Sequence, residues 1–170
     1  MKRFLLLLAI FFPIAANSMK IVTDKIDEFT GGRTVITSWE HLSMRRINIR
    51  FRLQDGETFL DFKFIPDNAI VISENSKLLF KSSSDGVGTF TSVAMYHGGR
   101  GEGSVGLNMS GLWGISATYA GDLSWFSDNT TNLIRVYATD GYYDRKVSEK
   151  EGVKLQNLYT LFYNTITAVK

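Results

Sequence analysis

The clearest pattern in the chain is an alternation of apolar and polar residues over residues 47–64. Apolar side chains at every second position give the period of a β-strand, at Ile47, Ile49, Phe51 and Leu53. Asp55-Gly56 follows, a dipeptide favoured in two-residue hairpin loops because both residues tolerate positive φ. Counting outward from this loop places Phe51 opposite Leu60 and Arg50 opposite Asp61. Apolar then meets apolar and charge meets opposite charge, so the pattern predicts a hairpin of defined register.

A second hairpin is predicted around Asp85-Gly86, which separates the strand-like segments 77–82 and 87–96. If this dipeptide forms a two-residue loop, Leu78 lies opposite Val93 and Ser82 lies opposite Thr89. In these two pairs an apolar residue faces an apolar one and a polar residue faces a polar one. The pattern again predicts an antiparallel ladder.

A third hairpin is predicted around Asp140-Gly141, between segments 133–139 and 142–147. The same counting places Arg135 opposite Lys146, an unfavourable like-charge pair, so the turn is better supported than the register. Further strands are predicted at residues 20–23, 33–39, 69–72 and 114–119. The total of about ten short strands favours an antiparallel β-sandwich or one strongly curved sheet.

A helix is predicted after residue 148. Ser148 and Glu151 have the spacing of a capping box, and apolar residues then recur at helical spacing, at Leu155, Leu158, Phe162 and Ile166. This stripe needs an apolar surface, so the helix is expected to pack on the sheet. A short helix is also expected within residues 122–129. The fold class is therefore mainly β (α+β), a single β-rich domain over residues 19–170 with one C-terminal helix packed on it.

The first eighteen residues have the order of a secretory signal peptide. Lys2 and Arg3 precede an apolar run over residues 4–14, and small residues follow it up to Ser18. The apolar run is shorter than the roughly 20 residues of a spanning helix and contains Pro13, which favours cleavage after about Ser18. We therefore expect an exported protein, periplasmic or secreted, without a membrane span after cleavage.

Charge and composition exclude several classes of function. Residues 1–18 carry two basic and no acidic residues, so removing them leaves 17 basic residues against 17 acidic ones. A nearly neutral protein lacks the excess of Lys and Arg on which nucleic-acid binding depends. The chain contains no cysteine, which excludes disulfides, thiolate metal sites and a cysteine nucleophile. Stability must therefore come from packing.

No diagnostic catalytic motif is present. The chain has two histidines, His41 and His97, and neither has a metal-ligating partner at a helical or strand spacing, so no metal and no cofactor are predicted. The glycine-rich run over residues 98–103 lacks the lysine and hydroxyl of a phosphate-binding loop and is expected to be a mobile connection. His97 and Arg100, in and beside this run, are the candidate residues of a functional loop.

Five basic residues form the one concentrated basic surface, namely Arg45, Arg46, Arg50, Arg52 and Lys63. Such a surface suits an acidic glycan, a membrane headgroup or an acidic protein partner. The structural alternative is an outer strand face whose charges prevent edge-to-edge pairing. Four aromatic residues could line a sugar-binding surface or belong to the core, namely Trp113, Tyr119, Trp125 and Phe126.

Three stretches together resemble small exported bacterial proteins of uncharacterised function. They are Asp27–Gly31 leading to Trp39-Glu40, Leu60–Lys63, and Val136–Tyr142 running into the helix with Leu155-Gln156. The similarity spans most of residues 19–170. It implies a bacterial, periplasmic or secreted setting, and it assigns no residue a chemical role.

The sequence thus predicts a non-enzymatic exported module that binds an unidentified protein or glycan partner, with no nucleic acid. Two alternatives stay open. One is a hydrolase-type enzyme with a site around His97, and the other is an inert structural protein of the cell envelope. The oligomeric state is left open by the sequence.

Overall fold

A computed structural model describes residues 19–44, 46–98, 104–107 and 113–168 of the chain. It contains thirteen strands and two helices. The strands are β1 (Ile21–Ile26), β2 (Arg33–Thr37), β3 (Glu40–Leu42), β4 (Ile47–Gln54), β5 (Glu57–Phe64), β6 (Val71–Ile72), β7 (Lys77–Ser82), β8 (Val87–Ser92), β9 (Tyr96–His97), β10 (Ser104–Leu107), β11 (Trp113–Ala120), β12 (Thr131–Ala138) and β13 (Gly141–Lys146). The helices are α1 (Trp125–Asp128) and α2 (Glu149–Thr167). The signal-like segment, Arg45 and Arg100 lie outside the described residues.

Eleven of the strands form one antiparallel sheet, and β6 pairs with β9 in a second, two-stranded sheet. The main order is β1-β2-β4-β5-β11-β8-β7-β12-β13, with β3 also paired to β4 and β10 to β11. The mainly antiparallel β fold with a C-terminal helix is therefore confirmed. More strands occur than the roughly ten expected, because short pairings such as β3 and β9 carry too few residues to give a periodic pattern.

The sheet is strongly curved around α2. This helix packs against β2, β3 and β4 and also against β12. Strands β4 and β12 are separated by four other strands in the sheet, which would place them roughly 24 Å apart if it were flat. Two adjacent residues of α2 reach both regions, since Glu151 bonds the amide of Ser43 beside β4 and Gly152 lies against the Thr131 carbonyl of β12, so the sheet must bend around the helix.

The first hairpin has the predicted register. Phe51 pairs with Leu60 and Arg50 with Asp61, and the pairing runs to Gln54 and Glu57 beside the loop. Asp55 and Gly56 have φ values of 52° and 87°, the left-handed conformation that a type I′ loop requires. Here the local turn chemistry and the cross-strand pairs agree.

The register predicted for the second hairpin is wrong by three residues. Leu78 pairs with Phe90 rather than Val93, and Lys81 pairs with Val87. The amide of Ser82 donates to the carbonyl of Gly86 at 2.9 Å. The pairing therefore continues one step beyond Lys81 and Val87 and leaves residues 83–85 as the loop. Asp85, with φ of 64°, occupies the left-handed position of a three-residue loop.

The register predicted for the third hairpin is also wrong. Ala138 pairs with Gly141, so the loop is formed by Thr139 and Asp140. Arg135 then lies opposite Asp144 rather than Lys146, and Arg135 Nε is 2.6 Å from Asp144 Oδ1. The shifted register replaces a like-charge pair by an ion pair.

Helix α2 begins at the predicted capping box. The Ser148 hydroxyl accepts from the Glu151 amide, and the Glu151 side chain accepts from the Ser148 amide. The second oxygen of Glu151 accepts from the amide of Ser43, at the turn between β3 and β4, at 2.9 Å. The N-terminus of α2 is thus fixed to the sheet. In the described part of the chain, no helix is long and apolar enough to cross a membrane.

The inner face of the curved sheet, α1 and α2 share one cluster of buried apolar side chains. Phe126 of α1 lies near its centre, with ring centroids of Phe51 and Phe80 at 5.3 and 5.0 Å. Leu155, Leu158 and Phe162 from the predicted stripe are fully buried. Arg50, Arg52 and Lys63 alternate with the buried residues of β4 and β5 and therefore lie on the opposite, outer face of the sheet.

Candidate functional site

The structure describes four of the five predicted basic residues, and these four fall into two groups. Arg50 and Arg52 lie on β4 and Lys63 on β5, whereas Arg46 precedes β4 and pairs with Asp67 at 2.5 Å. Both β4 and β5 are interior strands, since β4 pairs with β2, β3 and β5, and β5 pairs with β4 and β11. Protection of a sheet edge therefore does not explain these charges.

Arg50 and Arg52 converge on a single carboxylate. Arg50 Nε donates to Asp61 Oδ2 at 2.8 Å, and Arg52 Nη2 lies 3.1 Å from Asp61 Oδ1. The Thr118 hydroxyl, on β11, donates to Asp61 Oδ1 at 3.0 Å. The Asp61 side chain is 7% exposed, while those of Arg50 and Arg52 are 29% and 17% exposed. The carboxylate is thus buried beneath the two guanidinium groups.

Aromatic rings support the same cations. Arg50 Cζ lies 4.5 Å and Lys63 Nζ 4.4 Å from the ring centroid of Trp39, in the link between β2 and β3. Arg52 Cζ lies 4.7 Å from the ring centroid of Phe59. These distances are within the range of cation–π attraction. We call Arg50, Arg52, Asp61, Lys63 and Trp39 the Asp61 cluster.

The Asp61 cluster has more positive than negative charge. Burial alone would raise the pKa of the Asp61 carboxyl, but the hydrogen bonds and charges of Arg52 and Arg50 outweigh it and hold that pKa below its usual range. Burial and the Arg50 charge lower the pKa of Lys63. Two cations thus bond one carboxylate and a third lies against the same indole as Arg50, so the cluster holds three positive charges and one negative charge.

A cleft opens beside the Asp61 cluster, at the tips of the β1–β2 and β4–β5 hairpins. It has a volume of about 570 Å³ and is lined by Lys25, Asp27, Thr30, Gly31, Gly32, Thr34, Gln54 and Asp55. Arg52 Nη1 donates to Gln54 Oε1 at 2.5 Å, which links the cleft to the Asp61 cluster. We call this space the hairpin cleft. The hairpin cleft could not be predicted from the sequence, because its two hairpins are brought together by the non-local β2–β4 pairing.

The loop candidates are not part of this site. His97 lies in β9 opposite Val71, with an exposed side chain, and Arg100 lies outside the described residues. Within the described residues, no group of three His, Asp or Glu side chains has the arrangement of a metal site. Tyr119 and Phe126, two of the aromatic residues for which a sugar-binding surface and the core are the alternatives, are fully buried in the core. The rings beside the cations are those of Trp39 and Phe59, which are half-buried.

Asp61→Asn is expected to lower the free energy of unfolding by about 2 kcal/mol near neutral pH. Two half-buried guanidinium groups would lose their carboxylate, and their partial exposure keeps the loss below that of a fully buried pair. The folded-state pKa of Asp61 is lowered, so its stabilising effect is full above the ordinary value of about 3.9 and is lost as pH falls towards the folded value. The difference between variant and wild type should therefore shrink in acid.

Urea unfolding across the acidic range would measure this dependence. Asp85→Asn is the matched control, since Asp85 is an exposed partner of Lys81 and asparagine tolerates its left-handed conformation. A difference between Asp61→Asn and wild type that stays constant with pH would contradict the role given to the Asp61 charge.

Chemically, the site combines fixed positive charge, half-exposed aromatic rings and a polar cleft, which suits binding of an anionic ligand. It brings together three of the predicted basic residues, Arg50, Arg52 and Lys63, and separates Arg46 from them. Comparisons of the chain with models of protein families, with curated proteins and with solved structures found no match, so these roles are inferred from geometry and charge.

Proposed function

We propose that this chain is an exported, non-enzymatic binding module that holds an anionic group of its partner at the Asp61 cluster. The signal-like order of residues 1–18 supports export to the periplasm or the outside of a bacterial cell. The position of the cluster on the outer sheet face supports direct contact with a partner. The partner's anionic group would lie over the cations that Asp61 does not neutralise.

The observation that carries the proposal is the surplus of positive charge in a half-buried place. A structural ion pair on interior strands needs one cation for each carboxylate, because uncompensated charge is costly to desolvate. Here Asp61 receives both Arg50 and Arg52, and Lys63 lies against the same indole as Arg50. An anionic ligand would remove the remaining repulsion among the cations, which is a source of binding free energy.

The hydrolase alternative depends on a carboxylate beside His97. Among the described residues, His97 forms neither an ion pair nor a hydrogen bond with a carboxylate, and its side chain is exposed on a short strand. In a triad-type hydrolase, such a carboxylate lies within hydrogen-bond reach of the histidine and orients it. The geometry therefore favours binding at the Asp61 cluster over catalysis at His97.

Retention on sulfated dextran, compared with unmodified dextran, tests the proposal. Wild type is expected to be retained on the sulfated matrix and to elute with salt, while Lys63→Gln elutes at lower salt. Lys77→Gln is the matched control, because Lys77 is an exposed lysine of β7 and its loss changes the net charge equally. Thermal unfolding would show that both variants are folded.

Equal weakening by Lys63→Gln and Lys77→Gln would mean that retention reports net charge alone. No retention of the wild type would remove the Asp61 cluster as an anion-binding site. Either result would overturn the proposed function.

A further inference from the structure

The hairpin cleft and the Asp61 cluster lie on the same face of the sheet. Lys25 pairs with Thr34, and Thr34 pairs with Gln54, so these three residues form one row across β1, β2 and β4. Two residues along the strands, Ile36 pairs with Arg52 in the next row on this face. One continuous, half-exposed surface therefore runs from the tips of the hairpins to the cations.

The hairpin cleft is polar and holds both donors and acceptors. Gln54 Oε1 already accepts from Arg52, which leaves the Gln54 amide nitrogen as a donor to the cleft. Asp27 Oδ1 accepts from the amides of Phe29 and Thr30, and no described residue bonds its Oδ2. Lys25 and Thr34 add an ammonium and a hydroxyl to the lining. Its volume of about 570 Å³ lies within the range of small-molecule sites.

The two ends of this surface have opposite charge preferences. The Asp61 cluster has more positive than negative charge, whereas the hairpin cleft contains the two carboxylates of Asp27 and Asp55 against the single ammonium of Lys25. A second anionic group in the hairpin cleft would be repelled by these carboxylates. A ligand that uses the whole surface thus carries its anion at one end and neutral polar groups at the other.

We propose that the ligand is an oligosaccharide with an acidic sugar, whose anion lies at Arg50 and Lys63 and whose neutral sugars occupy the hairpin cleft. This inference rests on the proposed function. Sugar hydroxyls both donate and accept, which matches the mixed lining of the hairpin cleft. Arg50 and Gln54 are four residues apart on β4, a span of about 13 Å, which is long enough for more than one sugar.

Two other ligand classes fit this surface less well. An acidic peptide or a polyphosphate carries charges along its length and would place some of them against Asp27 and Asp55. An anionic membrane needs a broad positive surface, and the carboxylates at the hairpin tips oppose its approach. The half-exposed rings of Trp39 and Phe59 offer apolar area to the carbon faces of sugar rings instead.

A glycan panel tests the inference on the purified protein. Each neutral oligosaccharide is immobilised beside its counterpart with one terminal uronic acid or sulfate, and the free acidic monosaccharides serve as competitors. Wild type is expected to bind at least one acidic member more tightly than its neutral counterpart and more tightly than the free acid. Lys63→Gln should weaken this binding and retention on sulfated dextran together.

Thr34→Ala and Gln54→Ala separate the hairpin cleft from the Asp61 cluster. Each should weaken binding of the acidic oligosaccharide by about tenfold, the effect of one lost hydrogen bond to the ligand. Thr34→Ala, which leaves the bond between Arg52 and Gln54 in place, should not change retention on sulfated dextran. Thr89→Ala is the matched control, because Thr89 is an exposed strand threonine of β8 outside the hairpin cleft. It should change neither measurement.

The outcomes distinguish the two proposals. Retention on sulfated dextran without binding of any acidic oligosaccharide would overturn the glycan inference and leave the proposed function standing. Equal competition by oligoglutamate or by anionic phospholipid vesicles, with no effect of Thr34→Ala or Gln54→Ala, would assign the Asp61 cluster to a peptide or a membrane. Failure of both assays would overturn both proposals.

Discussion

Phe126→Ala is expected to lower the free energy of unfolding by about 3–5 kcal/mol, the range of a buried aromatic side chain truncated to alanine. The ring is fully buried and has centroids of Phe51, Phe80 and Phe90 within 5.6 Å. Helix α1 has four residues and cannot be stable alone, so this ring holds it in place. Truncation would leave a cavity among rings that belong to different parts of the sheet.

Urea unfolding monitored by circular dichroism would measure the effect of Phe126→Ala. Phe29→Ala makes the same substitution at a side chain that is 98% exposed, and it should change the free energy of unfolding by less than about 0.5 kcal/mol. A loss below about 1 kcal/mol in Phe126→Ala would show that the core closes around the missing ring.

Gly152→Ala is expected to destabilise the protein by about 3 kcal/mol, although alanine in a helix is ordinarily favoured over glycine by about 1 kcal/mol. A Cβ at Gly152 would lie 2.2 Å from the carbonyl oxygen of Thr131, and this backbone atom belongs to an interior strand. The helix would have to move away from β12. That movement would also strain the bond between Glu151 and the amide of Ser43.

The neighbouring exposed position gives the control for Gly152→Ala. Val153→Ala leaves the helix–sheet contact intact and should change the free energy of unfolding by less than about 0.5 kcal/mol. A Gly152→Ala protein as stable as wild type would mean that α2 can shift on the sheet without cost, contrary to the close packing described here.

Register could be predicted where cross-strand pairs leave one choice. In the β4–β5 hairpin, a slip would place Arg50 or Asp61 against apolar partners, so the sequence admits a single alignment. In the second hairpin, three serines precede Asp85, and this sequence is compatible with a two-residue loop and with a three-residue loop. The register therefore could not be predicted there. In the third hairpin, the predicted contact of Arg135 with Lys146 was itself the sign that another alignment is preferred.

Of the candidate site, only the contacts within the β4–β5 hairpin could be predicted from the sequence. The pairing of Arg50 with Asp61 follows from local counting, but Thr118 reaches Asp61 from β11, 57 residues further along the chain. Trp39 lies in a link between strands, where no periodic pattern marks its position. The hairpin cleft depends on the β2–β4 pairing, which is again a non-local contact. Hydrophobic periodicity records which face a residue occupies, and it carries no information on which distant strand lies beside it.

Strand β11 lies between two halves of the sheet, β1-β2-β4-β5 on one side and β8-β7-β12-β13 on the other. The number of its paired residues differs between the two sides. It pairs with β5 from Ile115 to Tyr119, but with β8 through Tyr119 and Ala120. Backbone hydrogen bonds across the β8 side are therefore few, and the halves are held together from within by rings such as Phe126, which touches Phe51 on one half and Phe90 on the other. Cooperative unfolding units often coincide with supersecondary motifs such as hairpins. We therefore expect the aromatic core to be what couples the two halves on unfolding, so that the proposed binding face on β4 and β5 depends on rings that it never exposes.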